Sequence, residues 1–342
     1  MNYVGIDLHK KFMHLHWCDE NMNESSLRIE NDENEVNKFF VPFQNNCKVA
    51  IEATGNWYWL VDLLQSLNIE VQLANPLQTK AIAYARVKND KADSKTLAYL
   101  LKNDLLPTCW IPDRAQRNNR DMLRIRARLV MMKTVCKNII RSIMGKFNIK
   151  PPYTNIWGSL GREFLIGISL GMPYDEIIGN LLTLIDDLTA QINDWDRRIQ
   201  EEVILSEEAQ RLLTVPGVGK IWALTILYET GPIERFHSAK RYVAYAGLVP
   251  KTWETGGKYR NGHLCKQANM YLKYAYIEVA TAAVNARDLD LVLRLYYHRL
   301  TKRKGKGVAK VALARKIAMI VYHMLRGRID YVTCMARRRV AG

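Results

Sequence analysis

Two short apolar runs near the N-terminus each end on an acid, and this pairing limits what the chain can fold into. Tyr3-Val4-Gly5-Ile6 runs into Asp7, and Val49-Ala50-Ile51 runs into Glu52. Runs of this length read as buried strands. An acid carried into a core costs several kcal/mol unless it is paired or liganded. Where strands emerge, clustered acids can instead hold a divalent metal, because hard cations such as Mg2+ take oxygen ligands. Two more acids, Asp90 and Asp93, stand in Lys88-Asn89-Asp90-Lys91-Ala92-Asp93-Ser94-Lys95, ahead of an apolar run from Thr96 to Leu101. Their i, i+3 spacing places both on one helix face. Taken singly, each acid reads more readily as an N-cap, a turn residue or a solvated side chain. The order and setting of all four together weigh against that reading.

The elements around these acids suggest an architecture. Strands are expected at Tyr3–Asp7, Phe12–Trp17 and Ser26–Ile29, then a helix at Glu33–Phe40 and a strand at Lys48–Glu52. A helix opens at Trp57-Tyr58-Trp59-Leu60, a strand at Ile69–Leu73 stops at Asn75-Pro76, and a helix follows Asp90. This β-β-β-α-β-α-β-α order is that of an RNase H-like domain, with the acids on the first strand, the fourth strand and the last helix.

Beyond residue 113 the pattern becomes helical. Met122, Ile125, Leu129, Met132, Cys136, Ile139 and Ile143 step 3-4-3-4-3-4, and Ile178, Leu181, Ile185, Leu188, Ile192, Trp195 and Ile199 repeat it. Such heptad seams form coiled coils, either an antiparallel hairpin or an intermolecular pair. Pro151-Pro152 and the glycine-rich stretch 158–171 read as the turn between them. A third segment begins near Glu207, where Pro216-Gly217-Val218-Gly219-Lys220 precedes an apolar helix at Ile221–Tyr228. Pro-Gly-x-Gly between helices fits a helix-hairpin-helix turn presenting N–H groups to a phosphate, and fits a plain helix–helix turn equally well. The polar stretch Lys251–Gly262 holds Thr255-Gly256-Gly257 among Lys251, Lys258 and Arg260, and a helix is expected from Lys266 through Ala283. A hydroxyl beside two glycines and three cations suits close approach to a phosphodiester, although such a loop more often only binds. The expected divisions are 1–113, 114–205 and 206–342.

Charge points to the partner. The net charge is +16, and it is concentrated. Between Arg114 and Lys150 eleven Lys or Arg face a single acid, Asp121; between Arg299 and Arg328 there are ten and no acid; Arg337-Arg338-Arg339 adds three. Basic segments beside an acidic metal cluster suggest a polyanion held across a metal site. Arg117, Arg120, Arg124 and Arg128, on the outer faces of the first long helix, are expected to touch RNA or DNA. No apolar run approaches the roughly 18 residues of a membrane span, and no signal-peptide pattern opens the chain. The six cysteines, at 18, 47, 109, 136, 265 and 334, lack metal-ligand spacing and read as reduced, so a cytoplasmic, nucleoid-associated protein is expected.

Gly5-Ile6-Asp7, Ile51-Glu52-Ala53-Thr54-Gly55, Asn75-Pro76, Lys88–Ser94, Pro216–Gly219, Ala246-Gly247-Leu248-Val249-Pro250, Glu254-Thr255-Gly256-Gly257 and Lys266-Gln267-Ala268-Asn269 occur in one order along the chain. Together they resemble the insertion-sequence-110 family of DEDD transposases and its relatives, the Piv site-specific invertases. The resemblance implies a RuvC-like domain that binds Mg2+ through Asp7, Glu52, Asp90 and Asp93. It also implies a C-terminal transposase domain with a hydroxyl nucleophile in a composite site, an oligomeric recombinase, and a noncoding bridge RNA that pairs with donor and target DNA. The family carries serine where this chain has Thr255, whose β-branch restricts χ1. On this resemblance Thr255 takes the nucleophile's role, and Gly217, Gly219, Lys220, Lys251, Lys258, Arg260 and Lys266 contact nucleic acid. A RuvC-like structure-selective nuclease, using water as nucleophile, and a Piv-like invertase are the alternatives. A sugar kinase of the actin-like fold would need further glycine-rich phosphate turns, and Tyr296-Tyr297-His298-Arg299 fits a helix better than a tyrosine nucleophile.

Overall fold

The computed structural model describes residues 1–82, 89–287 and 289–340, and the side chains of 258, 259, 261 and 338–340 fall outside the description. The expected parts of Lys88, Lys258, Arg338 and Arg339 therefore lie outside the described residues. The chain forms two compact units, Met1–Pro112 and Asp113–Gly342.

In the first unit, β1 (Asn2–Leu8), β2 (Phe12–Asp19) and β3 (Glu24–Glu30) form an antiparallel meander. Helix α1 (Glu33–Phe40), capped by Asp32, then crosses over to β4 (Cys47–Glu52), which pairs parallel to β1. Helix α2 (Tyr58–Ser66) leads to β5 (Glu70–Ala74), parallel to β4. The helices α3 (Pro76–Ile82) and α4 (Asp90–Lys102) and the short antiparallel β6 (Thr108–Cys109) complete the unit. The sheet order is β3-β2-β1-β4-β5-β6. Asn75-Pro76 ends the strand as expected, but Pro76 also opens α3, where its missing N–H and fixed φ suit a first helical turn.

The alternation of β1 sorts its side chains between two layers. Val4, Ile6 and Leu8 join Phe40, Leu60, Val61 and Leu64 in one core. Tyr3 lies with Ala50, Ala74, Leu97 and Leu101 in the other. Each fully buried aliphatic side chain contributes about 2 kcal/mol.

The second unit opens with α5 (Arg114–Lys146), then α6 (Ser159–Gly167) and α7 (Tyr174–Leu205). Helix α6 occupies the stretch expected as a turn; Leu165 buries against the same cluster as Ile143 and Ile178. Helices α5 and α7 are antiparallel, since Arg126 pairs with Asp196 and Lys133 with Thr189. The α7 seam is as expected, with Ile178, Ile185, Leu188, Ile192 and Ile199 buried.

The α5 seam is shifted. Its inward edge runs through half-buried Arg126, Leu129 and Lys133 to buried Cys136, Ile140 and Ile143, whereas Ile125, Met132 and Ile139 are 42%, 51% and 41% exposed. Polar partners on α7 select Arg126 and Lys133 over the neighbouring apolar residues.

Next come α8 (Glu207–Leu213), α9 (Lys220–Thr230) and α10 (Ala239–Tyr245). A two-stranded hairpin, β7 (Pro250–Thr255) and β8 (Lys258–Leu264), precedes α11 (Met270–Asn285), α12 (Leu291–Gly327) and α13 (Tyr331–Val340). Helix α12 breaks at Gly305, whose φ of 82° and ψ of 164° are non-helical. Leu123, Ile199 and Val203 share one core with these C-terminal helices, so residues on both sides of 205/206 belong to the same compact unit. Tyr297 is buried on α12. Among the described residues no helix is long and apolar enough to cross a membrane.

Candidate metal centre and nucleophile hairpin

The first site is set by a glycine. A Cβ at Gly5 would overlap the Ser94 carbonyl oxygen and stand 2.5 Å from the Ala98 nitrogen. Only glycine lets α4 lie this close to β1. Asn89 caps α4 by accepting from the Ala92 N–H at 2.7 Å, so Asp90 and Asp93 occupy its first turn, where the helix dipole favours acids. Asp7, two residues beyond Gly5, projects from the same face of β1.

These placements bring three expected ligands near one another. Asp7 is 9% exposed, and burial pushes its carboxyl above the usual range; His9 opposes the shift, while Asp90 and Asp93 add to it. Glu52 ends β4, one residue past the Ile6–Ile51 pair.

Two histidines that the sequence reading did not single out as site residues complete the cluster. His9 Nε2 lies 3.3 Å from Asp7 Oδ2 and 3.1 Å from Asp90 Oδ2. His14, opposite Asp7 in the β1–β2 register, places Nε2 3.7 Å from Asp90 Oδ2. His14 falls within the strand expected at Phe12–Trp17, but its neighbour across the sheet depends on register.

The donor set fits a divalent cation. Asp7, His9 and Asp90 each offer a ligand atom, all within 4.8 Å of one another. Adjacent ligands at right angles around an octahedral ion with ~2.1 Å bonds stand about 3.0 Å apart, close to the His9 spacings. His9 Nε2 is buried and makes no hydrogen bond among the described residues, although both carboxylates stand at ion-pair distance from it.

The second site is a turn. Thr255 closes β7, and Gly256 and Gly257 follow with φ of +56° and +74°. Two left-handed residues between paired strands make the two-residue hairpin turn that Gly-Gly favours. The stretch read as a polar loop is therefore a β-hairpin, a form its Thr-Gly-Gly-Lys signal already carried. Thr255, Lys251 and Arg260 are exposed on the hairpin, and Lys266 is exposed just beyond it. The helix expected from Lys266 begins at Met270, because Asn269 caps it.

The Pro-Gly-x-Gly turn does join two helices. Gly217, with φ of +86°, backs onto α11, where a Cβ would stand 2.5 Å from the Val279 carbonyl oxygen; its place is dictated by packing. Gly219 and Lys220 are exposed, and Gly219 begins α9 without a side-chain cap.

The α5 arginines require a correction. Arg117 and Arg120 are 2% and 7% exposed and do not face a polyanion. Arg120 donates to the Tyr228 and Glu229 carbonyls at 2.8 and 2.9 Å. Arg124 grips the buried Glu229 carboxylate with two hydrogen bonds of 2.7 and 2.9 Å, and Asn269 donates to the same carboxylate at 2.7 Å. The reason is Glu229: a buried carboxylate needs charged partners, and α5 supplies them. Of the four, Arg128 is exposed.

Comparison with known proteins matches both units. Residues 4–149 match a DEDD family described as "Transposase", and residues 209–298 match the "Transposase IS116/IS110/IS902 family". The chain is similar to a "Probable family 20 transposase" of Pseudomonas aeruginosa, 28% identical over 97% of this chain and 98% of that one. It is also similar to the "Transposase for insertion sequence element IS1111A" of Coxiella burnetii, 26% identical over 83% and 79%. A "Pilin gene-inverting protein" of Moraxella bovis is 26% identical over 74% of each chain.

Proposed function

The chain belongs to the IS116/IS110/IS902 transposase family, and from that premise we propose that it moves its own insertion sequence by metal-dependent cleavage and exchange of DNA strands, guided by a bridge RNA that pairs with donor and target DNA. It is an enzyme of DNA cleavage and recombination. The observation that carries the reading is the convergence of Asp7, Asp90 and His9 Nε2 at one end of the β1–α4 layer. The sheet order, antiparallel through β1 and parallel beyond it, supports an RNase H-like (RuvC-like) first domain.

Family members generally use a divalent metal. Asp7, Glu52, Asp90 and Asp93 would hold it, and Mg2+ is the ion that an all-carboxylate set suits. When bound, the metal supplies charge stabilisation at the transferring phosphoryl group. The Thr255 hydroxyl attacks the scissile phosphorus as the bond to the deoxyribose oxygen breaks, and the proton that Thr255 loses ends on that departing oxygen as a hydroxyl. The resulting ester conserves the bond energy, and a second strand's hydroxyl displaces Thr255 to rejoin the DNA.

Lys220, Lys251, Lys258, Arg260, Lys266 and Arg128 neutralise phosphates, and the N–H groups of Gly219 and Lys220, at the start of α9, donate to a phosphate oxygen. The exposed stripe of Ile125, Met132, Val135 and Ile139 on α5 supports assembly into a homo-oligomer. Inversion of a DNA segment is a second reading, favoured by the likeness to the pilin gene-inverting protein.

The test is to react the protein and its RNA with DNA spanning the element's end, then map any covalent adduct by mass spectrometry. Thr255→Ala should abolish the adduct, and Thr255→Ser, with freer χ1, should keep or raise it. Asp7→Asn should abolish cleavage and leave nucleic-acid binding largely unchanged. Strand exchange that survives Thr255→Ala overturns the nucleophile assignment; cleavage without any adduct points to a RuvC-like nuclease.

A further inference from the structure

We propose that His9 is a nitrogen ligand of the metal centre, and that it turns an all-oxygen site into a mixed one preferring first-row transition ions such as Mn2+ over Mg2+. The inference rests on the reading that Asp7 and Asp90 bind a metal, and it refines which metal.

The imidazole is aimed and held. Its Nε2 lies between two carboxylate oxygens, 3.1 Å from Asp90 and 3.3 Å from Asp7, and makes no hydrogen bond with either. Both contacts are of ion-pair length, and one nitrogen lies within reach of the two oxygens at once, as a ligand sharing a cation with them would. Three hydrogen bonds fix the His9 backbone. Its N–H donates to the Phe12 carbonyl at 3.0 Å, and its carbonyl accepts from Asn31 Nδ2 and Asn56 Nδ2, each at 2.9 Å. The ring packs against Phe12, with centroids 4.7 Å apart. Backbone clamps and a ring contact of this kind pre-organise a ligand. His14 stands farther off, 3.7 Å from Asp90, and is a positioning residue for that carboxylate.

Selectivity follows from ligand chemistry. Mg2+ takes oxygen and sheds its waters reluctantly, so an imidazole adds little to its binding. First-row transition ions accept imidazole nitrogen, and Mn2+ also accepts the carboxylates and water that fill the remaining positions.

The experiment uses the full-length protein and Mn2+ as the probe. Mn2+ binding is titrated by electron paramagnetic resonance, nitrogen coupling is read from electron spin echo modulation, and Mg2+ affinity comes from competition. Asp7→Asn identifies the site. The wild type should show nitrogen-14 modulation from one imidazole. His9→Ala and His9→Gln should both lose it and weaken Mn2+ at least about ten-fold, a typical effect of disturbing a metal shell. Mg2+ affinity should stay nearly constant, and His14→Ala should keep the modulation.

Asp7-dependent Mn2+ binding without nitrogen modulation overturns the proposal while leaving the carboxylate site intact. Equal weakening of Mn2+ and Mg2+ by both His9 variants overturns it too. Mn2+ binding that is absent, or indifferent to Asp7→Asn, overturns the metal site itself and the proposal with it.

Discussion

At the scale of single residues, the first unit holds two carboxylates in opposite electrostatic states. Burial raises Asp7 above the ordinary carboxylate range, so its ionised form is costly without a cation. Glu24 is lowered to about 2, chiefly by hydrogen bonds from Lys95 Nζ and Tyr99 OH, both at 2.7 Å, which tie β3 to α4. A depressed folded value means that Glu24 adds stability above its ordinary value of 4.5 and that this stability is lost as pH falls toward 2. Glu24→Gln should therefore lower the melting temperature at pH 7, with the difference shrinking across that window and vanishing near its lower end. Melting curves at several pH values check this, and a difference independent of pH would mean that packing, not charge, is disturbed. His9 was not legible as a ligand because its position comes from the β1–β2 turn, whose geometry no spacing rule specifies.

Among elements, the contact between β1 and α4 builds the site. Gly5→Ala places a methyl group into the α4 backbone at Ser94 and Ala98, both rigid atoms rather than flexible side-chain ends. Such overpacking costs about 3 kcal/mol, and α4 must shift, carrying Asp90 and Asp93 with it. Urea unfolding should show that loss, and Mn2+ affinity should fall in the fraction that remains folded. Unchanged stability would show that α4 moves freely. The sequence marked α4 by its acids and the apolar run behind them, but it marked the wrong edge of α5. Arg126 and Lys133 are charged, so a hydrophobicity rule passes over them in favour of Ile125 and Met132. Asp196 and Thr189 on α7 reverse that choice.

For the whole molecule, buried and open cations must be distinguished before charge is read as function. Arg117 and Arg120 count toward the net +16 yet lie inside the fold. Around the α12 break, Lys302, Arg303, Lys304 and Lys306 are exposed, and no acid occurs between Leu291 and Arg328. Replacing these four with alanine should make the slope of log affinity against log salt less negative by about 3 to 4, near 0.9 for each phosphate no longer neutralised. An unchanged slope, measured by anisotropy across a salt series, would remove α12 from the nucleic-acid surface. Assembly gives another test. Met132→Glu with Ile139→Glu should lower the molar mass seen by light scattering without changing helix content; an unaltered mass would assign the α5 stripe no part in assembly.

The sequence by itself determined the β-β-β-α-β-α-β start, the placing of Asp7, Glu52, Asp90 and Asp93 on it, and the helical second half. These follow from local rules: short apolar runs, i, i+3 spacing and heptad steps. Tertiary structure alone decided that His9 joins Asp7 and Asp90, that Arg117 and Arg120 turn inward, and which edge of α5 is buried. Each of these depends on a partner far along the chain: Asp90 for His9, the α9 carbonyls for Arg120, Asp196 for Arg126. A charged side chain reads as exposed when only its neighbours in sequence are known. Whether it is buried depends on a distant group able to satisfy it, because an unpaired buried charge costs more than its burial returns.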